Sequence, residues 1–208
     1  SEQPKSMSTF ELMDLKDFLK KSIFWVISLA FAFQFLAMGG VLLHLPLHSE
    51  NLGFLGSWSV FGFPIKQTVF AYSFAAFGGV IGKVLLGYLM DKLKPNIPVM
   101  LMMAMQSLGI FGLTLATDYS LFIVFCFVFG LGFGGAMPLM SASFLKAFGP
   151  QNLGSVRGIS ALIIVPVQPV GMVLVGRAFD LNLYIESFFL MGAITLIGFF
   201  IASRIIIR

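Results

Sequence analysis

The chain has 208 residues, of which 58% are hydrophobic and 11% charged, with a net charge of +4 and a mean hydropathy of +0.97. A soluble domain carries about 25% charged residues to wet its surface, so this composition excludes one. The lysines and arginines gather at the ends of apolar runs rather than in a patch, which leaves nothing for nucleic acid to bind.

Residues 1–21 read as a cytoplasmic linker that opens on a polar stretch, SEQPKSMS, as if cut from something longer. Its second part, residues 10–21, is amphipathic, with Phe10, Leu12, Met13, Phe18 and Leu19 set against Glu11, Asp14, Lys16, Asp17 and Lys20. Six apolar runs follow, at about 22–45, 67–90, 97–116, 121–145, 159–179 and 183–203. Each is long enough to cross ~30 Å of hydrocarbon at ~1.5 Å per residue. In lipid each backbone amide must be satisfied within its own segment, so such runs are helices. They lack the alternation of a transmembrane barrel. Residues 48–66, with Trp58 and several phenylalanines, are expected in the headgroup zone. Cys126 lies inside an apolar run and, being the single cysteine, forms no internal disulfide.

Threading the runs alternately puts Lys5, Lys16, Lys20, Lys21, Lys92, Lys94, Lys146, Arg157, Arg204 and Arg208 on one side. Lys66 and Arg177 face Glu50, Asp118, Asp180 and Glu186 on the other. That asymmetry places both termini in the cytoplasm of a bacterial inner or plasma membrane.

GKVLLGYLMD (residues 82–91) in the second run pairs with GMVLVGRAFD (171–180) in the fifth at equal spacing, so that Gly176 and Asp180 answer Gly87 and Asp91. Gly39-Gly40 in the first run likewise answers Gly134-Gly135 in the fourth. An offset of three spans reverses direction in the membrane, so residues 22–116 and 121–203 read as an inverted three-helix repeat. In transporter folds such repeats enclose a mid-membrane site.

The most specific stretch is GYLMDKLKP, residues 87–95. Gly87 permits close approach of another helix, Asp91 puts a carboxylate at a helix end, and Lys92 and Lys94 stay in the cytoplasm. Gly-x-Leu-x-Asp-Lys-x-Lys between two spans resembles the signature loop of the major facilitator superfamily, in its second copy between helices eight and nine. FGPQNLGSVRG (148–158), a proline-containing span and GRAFD (176–180) resemble helices ten and eleven of the monocarboxylate-porter and oxalate/formate-antiporter branch. The resemblance covers nearly the whole chain as helices seven to twelve. It departs at Pro95-Asn96, which replace the closing Gly-Arg of the loop.

That resemblance implies an all-α transmembrane six-helix bundle, half of a major facilitator fold, working as a secondary transporter without cofactor or metal. It implies that Gly87, Asp91, Lys92 and Lys94 form a cytoplasmic gate motif whose partner is a helix of the missing N-terminal half, or of a second copy. Its further partners are the bilayer, a small solute, and a proton or counter-substrate. Lys83 occupies the position of a basic residue that binds substrate carboxylate in the resembled branch, as Lys rather than Arg, so the bidentate fork is lost. The branch's acidic partner one turn earlier is replaced by Gly79.

The residues themselves point the same way. Thr68, Tyr72, Ala76, Gly79 and Lys83 recur at three and four, a polar, small-residue stripe that belongs on a cavity rather than on lipid. An ammonium within a span costs several kcal/mol unless it meets water or a partner, the alternative being that it snorkels to the interface. Gln34 and Gln168 are cavity candidates, with Tyr72, because their helices resemble cavity-lining ones; Gln106 is expected to bond between helices. His44 and His48 bracket Pro46 at a solvated loop mouth. Pro138, Pro166 and Pro169 interrupt the fourth and fifth runs. GLGFGG, residues 130–135, has no preceding strand and is no nucleotide loop. The function expected is transport of a carboxylate-type anion by alternating access, the alternative being a non-transporting scaffold or receptor derived from a half-bundle; an enzyme is not expected.

Overall fold

The computed structural model describes residues 13–207. Phe10, Glu11 and Leu12 of the amphipathic stretch, and Lys5 and Arg208 of the charge pattern, lie outside the described residues. The helices are α1 (Leu15–Lys20), α2 (Ser22–Asn51), α3 (Gln67–Lys92), α4 (Asn96–Leu115), α5 (Tyr119–Gly134), α6 (Ala136–Phe148), α7 (Leu153–Ile164), α8 (Val167–Asp180) and α9 (Tyr184–Ala202). A hairpin of β1 (Ser57–Val60) and β2 (Phe63–Lys66) separates α2 from α3. Six segments are long and apolar enough to cross a membrane: α2, α3, α4, α5 with α6, α7 with α8, and α9. This is the all-α six-helix architecture expected.

Three local features differ from the expectation. First, α2 runs through Pro46 to Asn51 instead of ending near residue 45. The proline removes one backbone bond, but Leu52 N–H reaches His48 O at 3.1 Å and closes the helix beyond it. His44 and His48 are therefore buried rather than solvated. His48 stacks on Phe188 at 4.1 Å and its Nε2–H donates to Leu113 O at 3.1 Å, tying α2 to α4. Second, the loop contains a hairpin turning at Phe61 (φ 53°) and Gly62 (φ 83°). Two successive positive φ values make the primed turn that suits strand twist. Third, the fourth span divides at Gly135 and the fifth at 165–166, each into two helices. Pro138 and Pro169 then sit in the first turns of α6 and α8, where a missing N–H costs little.

Where helix axes come closest, glycines let backbone meet backbone. A Cβ on Gly82 of α3 would run into Leu131 O of α5, and one on Gly134 into Gly79 O. A Cβ on Gly171 of α8 would run into Leu36 O of α2, and one on Gly39 into Gln168 O. Leu131 and Leu36 stand three residues before Gly134 and Gly39; Gly79 and Gln168 stand three before Gly82 and Gly171. The first and fourth spans, and the second and fifth, thus exchange places through one glycine rule.

Buried apolar side chains form two clusters among the described residues. One gathers Phe24, Phe31, Met102, Phe144 and Phe148 at the basic end. The other gathers Val41, Leu113, Phe122, Phe129 and Phe188 at the opposite end. Additional polar links lock the α2, α4 and α9 segments, with Ser107 Oγ–H donating to Gly192 O at 3.0 Å. At the basic end the Lys146 ammonium donates to Met90 O of α3, satisfying a carbonyl that the helix terminus leaves free.

Candidate functional site

Lys83 projects from α3 into a hollow of about 480 Å³ on an open face of the bundle. Phe35 and Met38 of α2 and Met137 of α6 also line it. Two local causes make the space. Ala76 and Gly79 on the same stripe carry little or no side chain, and a Cβ on Gly79 would press to 3.0 Å of the Phe133 ring. The break between α5 and α6 brings Gly134 and Ala136 to the wall. Interrupted helices beside a cavity are a transporter device, because backbone can be irregular only where it lines protein or water.

Lys83 lies nine residues before the end of α3, about 13 Å along the axis at ~1.5 Å per residue. It forms no ion pair among the described residues; the single salt bridge there joins Lys20 and Asp17 on the surface of α1. The ammonium is exposed in the bundle and has no carboxylate of its own.

The other sequence candidates separate. Tyr72 and Thr68, from the same stripe, line a different hollow of about 230 Å³ with Pro46 and Val69, toward the far end of α3. Gln168 is half-buried and lines a third hollow, of about 130 Å³, that shares Phe35 and Met137 with the Lys83 hollow. Gln34 lines none of these. It is fully buried, its Nε2–H donating to Gln106 Oε1 while Gln106 Nε2–H donates to Gln34 O at 3.3 Å. Its amide therefore joins α2 to α4, the role expected of Gln106 alone. Nothing in a single apolar run tells which face of a glutamine turns inward.

In the stretch expected to serve as a gate, Asp91 is exposed and makes no hydrogen bond or ion pair among the described residues. Lys92 sits 5.7 Å from the Tyr88 ring centroid, a contact of cation–π type. Lys94 lines a hollow against Ser203 and Ile205 beyond α9. Among the described residues no atom lies within 4 Å of a Cβ built on Gly87, so the close approach this glycine permits is unused by them. Its counterpart Gly176 faces His44 Nε2, 3.3 Å from the position of a Cβ, while Asp180 is exposed at the end of α8.

One residue beside the hollows was read in sequence only as part of the positive end. Arg157 of α7 lines the third hollow with Ser160 and Gln168. The spacing Arg157, Ser160, Ala161, Ile164, Gln168 is a helical stripe like that of Lys83, obscured by the break at 165–166. Among the described residues no group of three or more metal-ligating side chains occurs.

The family pattern of the Major Facilitator Superfamily matches residues 1–167. The chain belongs to the major facilitator superfamily. No curated protein matches it. Membership and six membrane-capable helices make this major facilitator chain an integral membrane protein of a transporter family, one that carries solutes rather than one of enzymes. The glycine-mediated exchange between spans and the open face beside α3 are therefore features of a transporter half-bundle.

Proposed function

We propose that this major facilitator chain carries a small organic anion of carboxylate type by alternating access, with Lys83 attracting the negative group. The observation that carries the reading is the ammonium at a hollow with no carboxylate to neutralise it. On insertion scales a lysine at mid-helix costs ~2.5–3.5 kcal/mol, and water or an anion in the hollow offsets that cost. Snorkelling alone would not require the small residues and the helix break that surround Lys83.

In this reading Gln168 and Tyr72 contact the solute at different depths, and Gln34 supports the cavity from behind through its bond to Gln106. Gly87 and Asp91 meet a helix of the N-terminal half or of a second copy when the cytoplasmic gate closes, with Lys92 and Lys94 beside them. The unused space at Gly87 and the unpaired carboxylate of Asp91 support that role. Gly176 and Asp180 hold the corresponding place at the outer end. The basic end faces the cytoplasm, with both termini there, in a bacterial inner or plasma membrane. Coupling to a proton or a counter-substrate, and kinship with the monocarboxylate-porter branch, belong to the same proposal.

The test is uptake of labelled carboxylates into proteoliposomes containing the protein, with Lys83→Ala and Lys83→Arg. Uptake is expected to collapse in the first and to survive in the second, since Arg keeps the charge. Anion uptake at the wild-type rate by Lys83→Ala would remove the site.

A further inference from the structure

The hairpin between α2 and α3 sorts its side chains by face. Its register pairs Trp58 with Ile65, Ser59 with Pro64 and Ser57 with Lys66. Side chains alternate along a strand, so Trp58, Phe63 and Ile65 share one face, and Ser57, Ser59, Pro64 and Lys66 share the other. The described residues leave the apolar face largely uncovered. Phe63 is 72% exposed, and Phe61, at the turn, is 97% exposed. Phe61 also holds a φ of 53°, where glycine or asparagine would sit with less strain. A bulky apolar side chain at such a place gains nothing from water.

The base of the hairpin is fastened to the spanning helices. Gln67 N–H donates to Gly56 O at 2.9 Å, and Gly56 N–H donates to Gln67 Oε1 at 3.2 Å. Tyr119 of α5 donates its hydroxyl proton to Gln67 O at 2.7 Å. The Trp58 ring packs on Phe70 at 5.0 Å and on Tyr119 at 5.4 Å between centroids. Phe70 opens a second stripe on α3, continued by Phe74, Phe77 and Ile81, each two residues before Tyr72, Ala76, Gly79 and Lys83 respectively. Two residues are about 200° of helix, so this apolar stripe runs on the side of α3 opposite the Lys83 stripe. Phe77 and Ile81 are exposed on it. With 26 residues, α3 is about 39 Å long at ~1.5 Å per residue. A bilayer measures ~40–45 Å with its headgroups, so the first turn of α3, and the hairpin seated on it, meets the headgroup layer.

We infer that the hairpin is a lipid-binding wedge whose apolar face, with Phe61 and Phe63 at its tip, enters the edge of the acyl layer beside the Phe70 stripe. Aromatic rings are favoured at that level. Ser57, Ser59 and Lys66 stay among headgroups and water, where the ammonium can meet lipid phosphate. A second bundle closing over the Lys83 hollow would lie on the other side of α3, so lipid rather than a partner bundle meets this face. The wedge holds the start of α3 at the bilayer surface whatever the solute is.

Phe61→Cys and Ser59→Cys, each in a Cys126→Ala background, carry a polarity-sensitive fluorophore into phosphatidylcholine vesicles for the test. Both positions are exposed, so neither label disturbs the packed helices. One quencher is a phosphatidylcholine with a nitroxide near the top of its acyl chain; the other is iodide, present inside and outside the vesicles. The label at position 61 is expected to emit further to the blue in vesicles than in detergent-free buffer with free dye. It should lose emission to the nitroxide lipid and keep it in iodide. The label at position 59 should do the reverse. Quenching at position 61 by iodide and not by the nitroxide lipid places the tip in water and overturns the wedge. Quenching at position 61 by neither means that protein covers it, and overturns the choice of lipid. Equal nitroxide quenching at both positions overturns the division into two faces.

Discussion

Replacing Gly82 by alanine puts a methyl group into the backbone of α5. The new Cβ would fall 2.8 Å from both C and Cα of Leu131 and closer still to its carbonyl oxygen, whereas carbon contacts are comfortable at ~3.5–4.0 Å. A backbone cannot rotate aside as a side chain can, so α3 and α5 must separate by roughly 1 Å, forfeiting dispersion along their shared face. Overpacking of this kind costs about 1–3 kcal/mol, and a clash with backbone belongs at the upper end. Alanine recovers up to ~1 kcal/mol of helix propensity, so the net loss is about 1–2 kcal/mol. At roughly 2–4 °C per kcal/mol for a chain of this size, thermal unfolding in detergent should fall by roughly 2–8 °C. Gly171→Ala, whose methyl would meet Leu36 O, should lose a similar amount. Gly87→Ala, with open space around its Cβ, should be neutral or gain up to ~1 kcal/mol. Gly82→Ala and Gly87→Ala melting together would refute the claim that these glycines set the distance between helices.

Gln106→Ala leaves the buried Gln34 Nε2–H without its acceptor and should cost about 1–3 kcal/mol; a double-mutant cycle with Gln34→Ala should show a coupling of ~0.6–1.7 kcal/mol, and a zero coupling would contradict the pair. Phe18→Ala removes a fully buried ring that meets Phe148 edge-on at 5.5 Å, so α1 should undock, read as faster amide exchange over residues 14–21 while the spans stay protected. Lys146→Met deletes the donor to Met90 O and should lower stability by ~1 kcal/mol, measured by unfolding in detergent.

The spans were legible because each apolar run must hide its own backbone from lipid. Run length alone therefore places α3, α4 and α9 within a few residues. The glycine repeat was legible too, since Gly82 and Gly87 recur at the same spacing as Gly171 and Gly176, and the pair Gly39-Gly40 recurs as Gly134-Gly135. The end of α2 was not. Pro46 in sequence reads as a stop, yet packing of His48 on Phe188 and Leu113 carries the helix a further turn and buries both histidines. The hairpin escaped because its four-residue strands carry too little periodicity to be told from a loop.

In the candidate site, the stripe ending at Lys83 could be read because α3 is unbroken, so equal spacing means one face. It still divides between two hollows, which spacing cannot foretell, because one wall of the second is Pro46 from α2. Gln34 was misplaced for a different reason. Its partner Gln106 is 72 residues away, and the pairing of two amides across helices is a long-range fact. Arg157 counted only as a positive end charge, because its stripe crosses the break before Pro166.

The central claim is that the side chain at position 83 looks into water within the span. Lys83→Cys in a Cys126→Ala background, treated in membranes with a charged, membrane-impermeant thiol reagent, tests it directly, because the thiolate reacts only where water reaches. The account predicts rapid modification from the side on which the hollow is open, slowed by an added carboxylate solute. A thiol at position 83 that stays unreactive from both sides of the membrane would contradict it.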